Sequence, residues 1–175
     1  MDRTLAILAN TPAWVWLVLA LVLWVGVRGL RPARTGLAGM LATPAIFIGI
    51  AIAHLVSAPA LTSVLPVWLI AAALGMAVGA AWAARLPVRV DRAAGIIETP
   101  GTAFWLVVGL LLFGCRYAIG VTLGMQPELR SDPFWMAVPF AVAGFGTGMT
   151  VAWAAVRLRT WFNSRQPPLA RGLLP

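Results

Sequence analysis

The sequence predicts an all-α membrane protein of five transmembrane helices. The N-terminus lies outside, the C-terminus in the cytoplasm, and a short cytoplasmic β-hairpin joins the third and fourth helices. Three observations carry this prediction: five long apolar stretches, arginines that alternate between opposite sides of them, and tryptophans gathered at their ends. Of the 175 residues, 61% are apolar and only 10% charged, too little polar surface to cover a soluble globule. The length suits one domain over residues 1–160, followed by a basic cytoplasmic tail over 161–175.

All thirteen basic side chains are arginine, and ten of them sit in three places. Arg28, Arg31 and Arg34 follow the first stretch, Arg85, Arg89 and Arg92 follow the third, and Arg157, Arg159, Arg165 and Arg171 follow the fifth and run into the tail. The connections on the opposite side hold only Arg3 and Arg130. This is the positive-inside pattern, and it sets orientation and span number together. It also accounts for the net charge of +8 without nucleic acid, whose binding would need the charge on one exposed face. Lysine is absent while Ala, Arg, Gly and Pro abound, a bias that points to a GC-rich bacterial genome and so to an inner membrane.

The first span, 12–27, opens with Asn10 and Thr11 before Pro12, a capping residue ahead of proline at the first helical position. A continuation back to Leu5 would lie along the interface. Three arginines follow this run instead of preceding it, so it reads as a retained anchor and not a cleavable signal. The remaining spans are 37–56, with Pro44 inside it, 66–84, 103–125 and 134–156. At 1.5 Å per residue each approaches or exceeds the roughly 30 Å of a bilayer core. The runs are continuously apolar and lack the alternation of a barrel strand. All nine tryptophans lie near span ends, where an indole can keep its body apolar and its N–H wet.

Between the third and fourth spans, Val88, Val90, Ile96 and Glu98 flank Asp91-Arg92-Ala93-Ala94-Gly95. Short β-branched runs around an Asp…Gly turn predict a hairpin. Two isolated strands are marginal in water, so the hairpin is expected to lean on helix ends or headgroups. Thr99-Pro100-Gly101-Thr102 then breaks the strand and caps the next helix.

Arg116 is the residue to single out inside the membrane. It lies nine residues before the end of its span, about 14 Å below the outer boundary. A central arginine costs roughly 2.5–3.5 kcal/mol on insertion scales, so it needs a partner. No Asp or Glu lies within a span. The candidates are Glu128 or Asp132 reached by snorkelling, carbonyls near Pro44, Thr147 and Thr150 on the fifth helix, a lipid phosphate, or a bound anion. Arg116 is then either a snorkelled structural residue or a ligand contact. Tyr117 adjoins it, but successive helical residues diverge by about 100°, so the two need not cooperate.

His54, the only histidine, lies near the outer end of the second helix, where bonding to a carbonyl is the plain reading. With Arg116, Tyr117, Thr147 and Thr150 it completes a candidate polar intramembrane site. The single cysteine, Cys115, rules out an internal disulfide, a redox pair and a zinc site. No nucleophile elbow, aspartate pair or phosphate-binding glycine loop is present. The sequence therefore predicts no catalytic residue, no cofactor and no metal, and no enzyme.

Gly75-x-x-x-Gly79, Gly120-x-x-x-Gly124 and Gly144-x-x-x-Gly148 put small residues one turn apart on three helices. Such faces admit close backbone approach, either within the chain or toward a membrane-protein partner or second copy. Gly144-Phe145-Gly146 lies at about the depth of Arg116 and is expected to open a pocket beside it.

The chain resembles a family of small proteobacterial inner-membrane proteins known only as a domain of unknown function. The resemblance rests on Thr11-Pro12, Arg85-Leu86-Pro87, Asp91…Gly95 before Pro100-Gly101, and Arg116-Tyr117-Ala118-Ile119-Gly120. It implies a shared pattern around Arg116 and the hairpin, and no activity. More distantly, Gly95-Ile96 through Phe104 to Arg116 is similar to CcdC-type membrane proteins. The leading functional reading is a non-enzymatic accessory or interaction protein in the lipid bilayer. The alternative is a small permease or anion- or ligand-binding protein using Arg116. A polar pocket at Arg116 would favour the second, and a solid interior the first.

Overall fold

Two helices that meet through glycine form the spine of the molecule. In the computed structural model, residues 9–58, 61–91 and 94–164 are described. They form helices α1 (Ala13–Arg28), α2 (Leu37–Val56), α3 (Leu61–Arg85), α4 (Phe104–Met125) and α5 (Pro133–Asn163). A 3-10 turn, Pro127–Ser131, precedes α5. Strands β1 (Ala33–Gly36), β2 (Arg89–Asp91) and β3 (Ile96–Thr99) make a small sheet.

α3 and α5 share the most extensive helix contact. A methyl group at Gly75 or Gly79 would strike the backbone of Phe145 or Met149. One at Gly144 or Gly148 would strike that of Trp68 or Ala72. Without hydrophobic drive in lipid, such backbone approach is what binds helices together. α2 packs on α5, and α1 packs chiefly on α4. Two of the three small-residue motifs are therefore used within the chain.

Four helices, α2 to α5, are long and apolar enough to cross a membrane. α1 has 16 residues, about 24 Å at 1.5 Å per residue, and falls short of that length. α2 occupies the expected 37–56, whereas α3 begins earlier and carries Pro66 within it. α5 runs on to Asn163, past the expected end at 156. Asp132 caps α5, its carboxylate accepting from the Phe134 and Trp135 amides at 2.8 and 3.4 Å. α1 opens one residue later than expected. Pro12 is its N-cap, no side chain of that residue can cap it, and the Thr11 hydroxyl bonds to Tyr117. The expected continuation toward Leu5 and most of the tail lie outside the described residues.

The hairpin is present, with support the sequence did not announce. β3 is central, in the order β1-β3-β2, and both pairings are antiparallel. The third strand, β1, comes from the α1–α2 connection, so the hairpin leans on a strand and not only on helix ends. Arg34 faces Glu98 in register, and their ion pair spans 2.7 Å. Ile97, in the central strand, is buried. Ala103 and not Thr102 is the N-cap of α4; the Thr102 hydroxyl accepts from the Phe104 amide at 3.2 Å, and the Thr102 amide donates to the Gly29 carbonyl at 2.8 Å.

Gly95 closes the β2–β3 turn with φ of +69°, while Asp91 accepts from the Ala94 amide at 3.0 Å. Nothing lies within 4 Å of a Cβ built there, so the demand for glycine is conformational and not steric. Gly95→Val is expected to cost about 1–3 kcal/mol, the range for a branched residue held left-handed. Thermal unfolding in detergent reads this, and a variant as stable as the parent would contradict the turn.

A cleft beside Arg116 as candidate functional site

α1 and α4 lie close where Gly26 meets Leu106 and Gly109 meets Val22. Further along α4, Gly114, Gly120 and Gly124 have no neighbour within 4 Å of a Cβ position. The result is a cleft of about 590 Å³ between the start of α1 and the end of α4. Val15, Val18, Phe113, Val121 and Met125 give it an apolar wall, and Gly120 and Gly124 line it without filling it. Its polar groups are Asn10, Thr11, Tyr117 and Arg116.

Tyr117 and Thr11 share a hydrogen bond of 2.8 Å that ties α4 to the entry of α1. The Phe113 and Tyr117 rings lie parallel within 7°, their centres 6.2 Å apart. Among the described residues Arg116 has two partners. Its Nη1 donates to the Pro139 carbonyl at 3.4 Å, and its Nη2 lies 3.2 Å from His54 Nε2. A guanidinium only donates, so His54 must accept through an unprotonated Nε2, with any ring proton on Nδ1. Arg116 therefore joins α4 to α2 and α5 while its side chain also borders the cleft. Having five N–H donors, it can serve both.

The candidate polar site divides in consequence. Arg116, Tyr117 and His54 come together at the cleft or directly behind it. Thr147 and Thr150 do not: both are buried, and their hydroxyls donate at 2.9 Å to the Ala143 and Thr147 carbonyls of their own helix. This is the usual fate of a hydroxyl in a lipid-spanning helix, which finds a backbone acceptor one turn back. Asp132 is occupied as a cap, and the carbonyl that Arg116 uses belongs to Pro139, not to the region of Pro44. The expected pocket at Gly144-Phe145-Gly146 is filled: Gly144 packs on Trp68, while Leu112 and Phe47 lie 3.3 and 3.5 Å from a Cβ at Gly146. Among the described residues no cluster of His, Cys, Asp and Glu could hold a metal ion.

One polar residue was misplaced by sequence reasoning. Arg157, counted with the tail, is 1% exposed. Its Nη1 donates to Thr99 Oγ1 at 3.3 Å, and its guanidinium carbon lies 4.9 Å from the centre of the Trp153 ring. Trp153 in turn meets Trp105 edge to face, so Arg157 closes an aromatic row that links α4 to α5. The turn spacing of Trp153 and Arg157 was the available signal.

Helices of this length and apolarity, gathered around a glycine spine, mark a membrane protein built as a helical bundle. The chain belongs to a family of unknown function (DUF6622), whose model matches residues 2–169. No curated protein and no solved structure matches it. The likeness to a family without assigned function is thereby shown, and the CcdC-type likeness draws no support from these comparisons.

Proposed function

We propose that this is a non-enzymatic, multi-pass protein of the bacterial inner membrane that binds an amphipathic ligand. The ligand's anionic or acceptor head would lie at Arg116 and its apolar body in the cleft between α1 and α4. The cleft itself carries the reading: an apolar trough ending at a guanidinium suits a molecule with one hydrophobic part and one charged part. Its contents would be fixed by a charge-assisted bond at one end and area burial along the rest.

The test is native mass spectrometry of the protein released from its own membranes in mild detergent. The parent is expected to carry a bound small molecule. Arg116→Leu should weaken its retention by about 10- to 150-fold, the loss of a charged hydrogen bond of about 1.5–3 kcal/mol. Gly120→Leu should remove it by filling the trough while leaving the fold intact. A parent without adduct, or variants that keep it, would overturn the proposal. A second reading, an accessory subunit, is favoured by the open Gly120-x-x-x-Gly124 face, and a co-purifying protein lost in Gly120→Leu would establish it.

Orientation rests on the division of arginines. Reporter domains active only outside the inner membrane are expected to work when fused after Ala60 or Glu128. Fusions after Arg31, Gly95 or Arg165 should be silent. Activity after Gly95 would reverse the topology.

A further inference from the structure

The second notable concavity lies at the other end of α1 and is independent of the Arg116 cleft. Between the last turns of α1 and strand β1, a groove of about 870 Å³ is walled by Leu23, Trp24 and Val27. Arg28, Arg31 and Arg34 rim it. Among the described residues one of the three meets a carboxylate, Arg34 with Glu98 at 2.7 Å. Arg28 lies over Trp24, its guanidinium carbon 5.6 Å from the ring centre, which orients the cation without neutralising it. Among the described residues neither Arg28 nor Arg31 has an ion pair. Three cations against one carboxylate leave an excess of two positive charges, bordered by an apolar wall that continues along α1.

We propose that this groove binds one anionic phospholipid whose head carries two phosphodiesters, of the cardiolipin type. Three features select it. The excess charge of two matches two phosphodiester charges. Arginine's planar fork suits phosphate oxygens. Leu23, Trp24 and Val27 lie where acyl chains leave the head, with the indole at headgroup depth. A soluble anion would use the arginines but gain nothing from the wall, and a zwitterionic lipid would leave the excess charge standing. Glu98 has a part as well: by holding Arg34 in the register of the sheet, it fixes one side of the rim.

Purified full-length protein, stripped of lipid in detergent, is titrated with cardiolipin, with phosphatidylglycerol at matched charge, and with phosphatidylcholine. Bound lipids are counted by native mass spectrometry. One cardiolipin should be retained in preference to the other two. Arg28→Gln with Arg31→Gln should weaken that retention about thirtyfold, as expected for two arginine–phosphate attractions near a membrane surface. Arg85→Gln with Arg89→Gln removes the same charge outside the groove and should change retention little. Arg31→Gln alone, at an exposed position, serves if the double variant does not fold, and should give about a fivefold loss. Equal losses in groove and control variants would show diffuse surface attraction only and overturn the site. Phosphatidylglycerol held as tightly as cardiolipin would overturn the two-phosphate specificity.

Discussion

Gly148→Leu is expected to cost the bundle about 3 kcal/mol or more, at the upper end of the overpacking range. A Cβ at 148 would overlap the Ala72 carbonyl, and backbone cannot rotate aside as a side chain can. Nor can the helices simply part there. Gly75, Gly79 and Gly144 hold the same interface at backbone distance, so relief at one point opens the other three. The control is Gly120→Leu, on a helix face where nothing lies within 4 Å. Thermal unfolding of both variants in one detergent gives the answer. If Gly148→Leu unfolds no earlier than Gly120→Leu, the glycine spine is not what holds α3 to α5.

That contrast also shows what the sequence could and could not disclose. The three Gly-x-x-x-Gly motifs look alike on the page, yet two are buried against a helix and the third is open. Spacing specifies a small-residue face but not what lies opposite it. The apolar helices were legible because apolar length is a one-dimensional signal. The β2–β3 hairpin was legible because Asp91 and Gly95 are turn residues with a local job. β1 was not: Ala33-Arg34-Thr35-Gly36 has little strand propensity, and it becomes a strand only because β3 offers it an edge. The candidate site was half legible. Arg116 announced itself by its cost in a membrane, and His54 by its rarity. Their meeting is a tertiary event across 62 positions that no local pattern encodes. Thr147 and Thr150 misled for the converse reason, since an intramembrane hydroxyl has an acceptor in its own helix whatever lies nearby.

Arg157 offers the sharpest test of a residue that sequence reasoning grouped with the tail arginines. As a solvated tail arginine, its replacement would change stability by no more than about 0.5 kcal/mol. The structure gives a different expectation. The side chain is buried, with one neutral hydrogen bond to Thr99 and the face of Trp153 as its company. Its Nε and Nη2 have no partner among the described groups. A buried cation held this way returns less than its desolvation costs, so an apolar side chain of similar reach should serve as well or better. Arg157→Met is therefore expected to match or exceed the parent's unfolding midpoint. Arg157→Glu is expected to lose about 3–5 kcal/mol, because it buries an uncompensated charge against the electron-rich face of an indole. Both are read by thermal unfolding in detergent, beside Arg159→Glu at the exposed position two residues on. A silent Arg157→Glu would return the residue to solvent. Equal losses in the Met and Glu variants would show that the positive charge itself is required, and so that an anion accompanies Arg157 in the folded protein.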